Sequence, residues 1–122
     1  GYALHSQTYI ATDDSLATRR ADLVALMRGE VRGWTDYLAD PRSAAALTVR
    51  MFPDAGLDLA TQEVQAERQV PLMFSDLTAA RGFGSWTDEA VAANIATLAL
   101  LGQTVAPSLW DRSILDEVHG GG

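Results

Sequence analysis

The sequence contains no cysteine and no lysine. Without cysteine the chain cannot form disulfides, thiolate nucleophiles or cysteine-type metal sites, although this absence indicates no particular compartment. Without lysine, its positive charge comes from nine scattered arginines, set against sixteen Asp and Glu residues. A phosphate backbone is bound by clustered basic side chains, so the net charge of −7 argues against nucleic acid as a partner.

The sequence also lacks a hydrophobic run long enough to cross a membrane. Its most apolar window, Ala90–Leu101, is interrupted by Asn94 and Thr97. At 122 residues, the chain has the length of one domain with a modest core. It opens at Gly1 rather than at a methionine and shows no signal peptide. We therefore expect it to be a piece of a longer protein.

One long amphipathic segment, from Asp13 to Pro41, dominates what is present. Its apolar residues are spaced three and four apart, which places them on one face of a helix. That face consists of Val24, Met27, Val31, Trp34 and Leu38, widened by Leu23, Leu26 and Tyr37. Because this arc is broader than a coiled-coil seam, we predict one long helix lying on a large apolar surface.

The rest of the chain predicts a mainly α fold with four or five helices and one strand. Asp40, Asp58 and Thr87 are suited to cap helices. A loop is predicted at Ser75–Ser85, with a tight turn where Gly82 and Gly84 flank Phe83. The remaining elements are a strand at Gln7–Thr12 and helices at Arg42–Met51, Leu59–Gln69 (ended by Pro71), Asp88–Leu101 and Asp111–Val118. A lone strand requires a partner from another chain or from a missing part.

No arrangement of residues indicates catalysis. His5 and His119 lie at opposite ends of the chain, and no pair of carboxylates is placed by its spacing for acid–base work. The unusual residue is Glu30, which falls inside the apolar arc of the long helix. It is interpreted either as a carboxylate paired with a nearby Arg or Tyr or as a functional acid. We therefore predict no enzyme activity, no cofactor and no metal.

Residues 8–45, TYIATDDSLATRRADLVALMRGEVRGWTDYLADPRSAA, resemble a segment of the substrate-binding proteins of ABC importers for nitrate, sulfonates, taurine and thiamine-pyrimidine precursors. The similarity is an ordered series of short motifs: Asp13-Asp14, Leu26–Trp34, Asp40-Pro41, Ala44-Ala45, Gly56-Leu57-Asp58, Gly82–Trp86 and Leu100-Leu101-Gly102. The series extends over nearly the whole chain.

The resemblance implies a parent protein with two α/β lobes of the type II periplasmic-binding-protein kind. Residues 1–12 would be a strand crossing between lobes, and residues 13–122 the helical C-terminal part of the first lobe. The implied function is extracytoplasmic, in the periplasm or as a cell-surface lipoprotein: binding a small organic or anionic solute and delivering it to an ABC permease. Ligand contacts implied by the resemblance fall at Tyr2, Ser6 and Tyr9.

The alternative is a small helical dimerisation or protein-interaction module without catalytic activity. It would dimerise through the Val24–Leu38 face. Under either interpretation, we expect the isolated chain to self-associate as a homo-oligomer, because apolar surface or an unpaired strand would be exposed.

Overall fold

A computed structural model describes residues 8–120, and every regular element in that range is helical. The mainly α prediction is confirmed, with more helices than expected. The α-helices are α1 (Asp13–Thr18), α2 (Arg20–Ala39), α3 (Pro41–Met51), α4 (Leu59–Met73), α5 (Asp76–Arg81), α6 (Asp88–Leu100) and α7 (Ser113–Val118). Two 3₁₀ turns lie at Pro53–Ala55 and Pro107–Leu109. No helix between residues 8 and 120 has the length and hydropathy of a transmembrane segment.

The described residues divide into two compact units. Unit 1 contains the residues up to Met27 and those from Gly84 onward, and unit 2 is Arg28–Phe83. Helix α2 therefore contributes its first eight residues to unit 1 and the rest to unit 2.

The core of unit 1 is built where α2 meets α7. Val24, Met27 and Ile114 are buried together, and four half-buried apolar residues surround them: Leu16, Leu23, Leu115 and Val118. Val24 and Met27 are three residues apart and so share one face of α2. The first half of the predicted apolar face thus forms a core, as its spacing indicated.

Arg20 anchors α7 to the start of α2. Its Nε and Nη2 atoms donate to Oε2 of Glu117 at 3.1 and 3.0 Å, and Nη1 and Nη2 donate to the hydroxyl and carbonyl oxygens of Ser113, each at 3.0 Å. Since the guanidinium binds both ends of a six-residue helix, it fixes the orientation of α7 as well as its position.

Unit 2 is organised by the packing of α3 on α4. Each helix buries one alanine, Ala45 on α3 and Ala66 on α4, and Arg42 of α3 pairs with Glu67 and Glu63 of α4. Small buried side chains let the two helices approach closely. Val49, Val70 and Met73 are half-buried, whereas several other large apolar side chains are exposed: Leu47, Met51, Phe52, Leu59, Val64, Leu72 and Phe74.

The predicted single helix over residues 13–41 is wrong in one respect, because the chain breaks at Arg19. This residue has φ −124° and ψ 26°, outside the helical region, and its N–H donates to the Ser15 carbonyl. Thr12 caps α1 by accepting from the Ser15 N–H at 3.1 Å. Thr12 therefore starts α1, and the non-helical backbone of Arg19 ends it before α2 begins.

The predicted strand is also wrong for the described residues. Gln7 lies outside them, and Thr8–Thr12 form no strand. Thr12 does have extended backbone angles, φ −80° and ψ 154°. Extended conformation without a neighbouring strand forms no ladder, because backbone pairing defines a sheet.

Two further predicted boundaries differ in the structure. Helix α4 passes through Pro71 and ends at Met73, and the predicted loop after it contains α5. Ser75 caps α5 by accepting from the Thr78 N–H at 3.2 Å. Proline removes one backbone donor but does not forbid another turn, so the helix continues past it.

The three predicted caps are confirmed. The side chain of Asp40 accepts from the Ser43 N–H at 3.0 Å, Asp58 accepts from the Thr61 N–H at 2.8 Å, and Thr87 accepts from the Ala90 N–H at 3.1 Å. Each satisfies a donor that the first helical turn leaves open.

These caps predict acid sensitivity. Side-chain hydrogen bonds from Ser43 and Thr61 hold the pKa of Asp40 and of Asp58 below the usual range. A carboxyl group whose pKa is lower in the folded than in the unfolded protein stabilises the fold at pH values above the unfolded pKa of about 3.9. This stabilisation is lost as the pH falls through the folded pKa. The urea midpoint, followed by far-UV circular dichroism, should therefore fall between about pH 5 and pH 2.

A double variant, Asp40→Asn with Asp58→Asn, keeps both caps but removes both titrations, because asparagine caps as well as aspartate. Its urea midpoint should depend less steeply on pH over the same range. Equal slopes for the variant and the parent would contradict the assignment.

Candidate functional site

Unit 2 contains an open groove between the second half of α2 and α3. Its volume is about 270 Å³. The residues that line it are Gly29, Glu30, Gly33, Trp34 and Tyr37 on α2, and Ala44, Leu47 and Thr48 on α3. The groove lies at the junction of the two helices. Helix α2 ends at Ala39, and Asp40 caps α3, which begins at the next residue without a connecting loop.

The floor of the groove is bare helix backbone. A methyl group added at Gly29 or at Gly33 would meet no atom within 4 Å. Glycine inside a helix costs about 0.5–1 kcal/mol relative to alanine. The two glycines therefore lower the stability of α2, and they leave open space beside the helix.

An aromatic cluster forms one wall. Trp34 stacks on Phe83 with ring centroids 5.4 Å apart and an interplanar angle of 21°, and it meets Tyr37 edge-on at 5.4 Å. Phe83 lies in the turn between Gly82 and Gly84, both of which have positive φ (91° and 80°). The predicted aromatic-anchored turn is confirmed, and it supports Trp34 from one side.

Tyr37 is held by its hydroxyl. The O–H donates toward the Ala66 carbonyl at 3.0 Å and toward Oε1 of Gln69 at 3.2 Å, both on α4. Burial raises the pKa of Tyr37, because removal from water disfavours the phenolate. These bonds join the groove wall on α2 to α4.

Glu30 lies in the groove and is half-buried. The sequence predicts it to be unusual for its place in an apolar arc, and two residues of that arc, Trp34 and Tyr37, line the groove with it. Thr48 also lines the groove, from α3, and its hydroxyl donates to the Ala44 carbonyl at 3.0 Å. Among the described lining residues there is one carboxylate and no Arg or His side chain.

A second depression of about 270 Å³ lies between α1 and α2 in unit 1. It is lined by Ser15, Arg19, Asp22, Leu23 and Leu26. Arg19 and Asp22 pair with each other at 3.0 Å, and both side chains are about two-thirds exposed. Because its two charged side chains pair with each other in solvent, this depression is a weaker candidate for a ligand-binding site than the α2–α3 groove.

The three site residues implied by the resemblance are not in the α2–α3 groove. Tyr2 and Ser6 lie outside the described residues. Tyr9 is 61% exposed in unit 1 and lines neither depression. Ligand contact by these three residues stays a prediction. The same described residues contain no group of three or more His, Asp or Glu side chains placed to hold a metal ion.

Comparison with known proteins identifies a partial relative. The chain is 35% identical over 81 residues to the riboflavin-binding protein RibY of Chloroflexus aurantiacus. The match covers 65% of this chain and 23% of that protein, so the chain spans about a quarter of the relative's length. No protein-family model matches the chain, and no solved structure matches it.

This relative contradicts the resemblance to nitrate, sulfonate, taurine and thiamine-pyrimidine-precursor binding proteins, because its name assigns it riboflavin. The structure shows why the motifs misled. Asp40 caps α3 and Pro41 is its first residue, and Gly56-Leu57-Asp58 leads into α4, which Asp58 caps. Such residues begin helices in unrelated proteins, so they specify helix boundaries rather than a ligand.

The wall of the groove can be tested with Tyr37→Phe. The variant keeps the ring and removes the hydroxyl donor, which should lower the free energy of unfolding by about 1 kcal/mol. Because the pKa of Tyr37 is higher in the folded than in the unfolded protein, its contribution to stability is fully present at pH values below the unfolded pKa of about 10. This contribution is lost as the pH rises through the folded pKa.

Urea unfolding of parent and variant at pH 7 and above pH 10 measures both effects, and the difference between the two proteins should shrink at alkaline pH. Equal stability at pH 7 would contradict the hydrogen bonds to α4.

Proposed function

We propose that this chain is the helical part of a longer solute-binding protein, and that its solute is riboflavin or a compound with the same ring system. The observation that carries the proposal is the 35% identity over 81 residues to a riboflavin-binding protein. In this role, the chain supplies binding surface and no catalysis.

The α2–α3 groove supports the proposal by its lining. A flat, largely apolar ring system is bound by aromatic and aliphatic walls, which Trp34, Tyr37 and Leu47 provide. Complete ligand pockets enclose about 300–1,000 Å³. A groove of about 270 Å³ is open and slightly smaller, so it would cover one side of a flavin ring and leave the rest to further chain.

The wider role follows from the sequence prediction. The two parts of such a protein would close on the solute by a hinge movement, outside the cytoplasm, and the closed form would deliver it to an ABC permease.

Riboflavin binding can be tested with a pair of leucine substitutions. Gly33→Leu fills the floor of the groove, and it should not harm α2 because leucine has a higher helix propensity than glycine. Ala46→Leu adds similar bulk at an exposed position of α3 outside the groove.

Riboflavin should bind the parent and Ala46→Leu with equal affinity and Gly33→Leu at least about tenfold more weakly. Quenching of flavin fluorescence measures this, and circular dichroism confirms folding. Absence of riboflavin binding to the parent would overturn the proposal. Equal riboflavin binding by the parent and by Gly33→Leu would show that the groove is not the binding site.

A second candidate is a helical protein-interaction module, but not through the whole predicted Val24–Leu38 face, because Val24 and Met27 are buried. The observation that favours it is apolar exposure in unit 2: Met51 is 63% exposed, Phe52 60% and Leu72 86%. Single exposed apolar side chains are normal, but contiguous ones mark interaction surfaces.

The second candidate predicts self-association. Light scattering should show a dimer or larger species at micromolar concentration, and Met51→Glu with Phe52→Ser should restore a monomer, because a buried unpaired charge opposes association. A parent protein that is monomeric at every concentration would contradict this candidate without affecting riboflavin binding.

A further inference from the structure

We infer that the α2–α3 groove recognises the flat ring of a flavin by stacking it on Trp34, and that the ribityl chain of the solute stays in solvent. The ligand class of the groove is then the isoalloxazine ring, with or without its sugar-alcohol chain. The inference rests on the proposed function, since it specifies which part of riboflavin the groove takes.

Trp34 is the aromatic side chain on which a second ring can stack. It lines the groove and is half-buried. Phe83 stacks on it with ring centroids 5.4 Å apart but does not itself line the groove, and Tyr37 meets its ring edge-on. Phe83 therefore supports the indole from outside the groove. A side chain already held in place loses little freedom when a ligand packs on it, which favours binding.

The helix beside Trp34 leaves space for a flat ring. Gly29 and Gly33 lie about one helical turn apart, and both line the groove. A methyl group added at either position would meet no atom within 4 Å. A planar ring stacked on Trp34 can therefore extend along the backbone of α2 without meeting a side chain at these two positions.

The polar side chains of the lining are already in use within the protein. The Tyr37 hydroxyl donates to acceptors on α4, and the Thr48 hydroxyl donates to the Ala44 carbonyl at 3.0 Å. Glu30 also has an interaction of its own. A hydroxylated chain gives up hydrogen bonds to water when it is buried, and binding gains from this only where the site replaces them. The groove therefore favours the ring over the chain.

The size of the groove agrees with this assignment. Pockets that enclose a whole drug-sized ligand measure about 300–1,000 Å³, whereas this open groove measures about 270 Å³. It has room for part of a riboflavin molecule, and the open side leaves a path for the ribityl chain to reach solvent.

The first test compares three probes on the parent chain at pH 7 by equilibrium dialysis. Riboflavin is compared with lumiflavin, which has the same ring but a methyl group in place of the ribityl chain, and with ribitol, which corresponds to the chain alone. Lumiflavin should bind within about fivefold of riboflavin, and a large excess of ribitol should not displace riboflavin. A larger loss of affinity for lumiflavin, or displacement by ribitol, would overturn this inference alone.

The second test uses three variants. Trp34→Leu keeps apolar bulk but removes the ring, so it should weaken the binding of both flavins at least about tenfold, whereas Trp34→Phe keeps a ring and should remain within about threefold of the parent. Trp110→Leu is the matched control, because Trp110 is a half-buried tryptophan of unit 1 that does not line the groove. It should bind as the parent does.

Circular dichroism verifies that each variant folds. Unchanged riboflavin binding by a folded Trp34→Leu would contradict the stacking role of Trp34 and leave the proposed function standing. If Trp34→Leu does not fold, the comparison of lumiflavin with riboflavin on the parent still decides the inference. Failure of the parent to bind riboflavin would overturn the proposed function as well.

Discussion

The packing of α3 on α4 determines most of what unit 2 can do. Each helix buries an alanine, and small side chains let two packed helices approach closely. Several large apolar residues lie outside this contact, and one of them, Leu47, lines the groove. The same packing puts the Ala66 carbonyl within reach of Tyr37, which holds the opposite wall.

This arrangement has an energetic cost that the two candidate functions explain differently. Burial of a large apolar side chain stabilises a fold by roughly 1.5–3 kcal/mol, and unit 2 leaves several such side chains in solvent. In a longer solute-binding protein, further chain or the solute would cover them. In an interaction module, a second copy would do so.

The sequence predicts interactions between residues close in the chain, such as helix caps, but it does not predict contacts between distant residues. The Asp40, Asp58 and Thr87 caps each join residues three positions apart, so side-chain chemistry alone predicts them. The break at Arg19 escaped prediction because the apolar spacing continues on both sides of it. The helical period reports which face is buried, but it does not report the backbone angles of one residue.

The candidate site likewise combines a feature that the sequence predicts with contacts that it does not. Glu30 was identified from sequence because a carboxylate in an apolar arc breaks the pattern. The stacking of Phe83 on Trp34 joins residues in distant parts of the chain, and no periodicity specifies such a contact. Glu30 and Thr48 line the same groove from different helices, which depends on the turn at Asp40. The sequence predicts that this turn exists but does not predict its angle.

Proline inside α4 has a consequence for how this helix opens. Pro71 has no N–H, so the Glu67 carbonyl receives no amide from the next turn, and the final residues are attached by fewer backbone bonds than the rest. Leu72, beside it, is almost entirely in solvent and adds little packing. Fraying of α4 should therefore start at this end, and its amide protons should exchange well before those near Ala66.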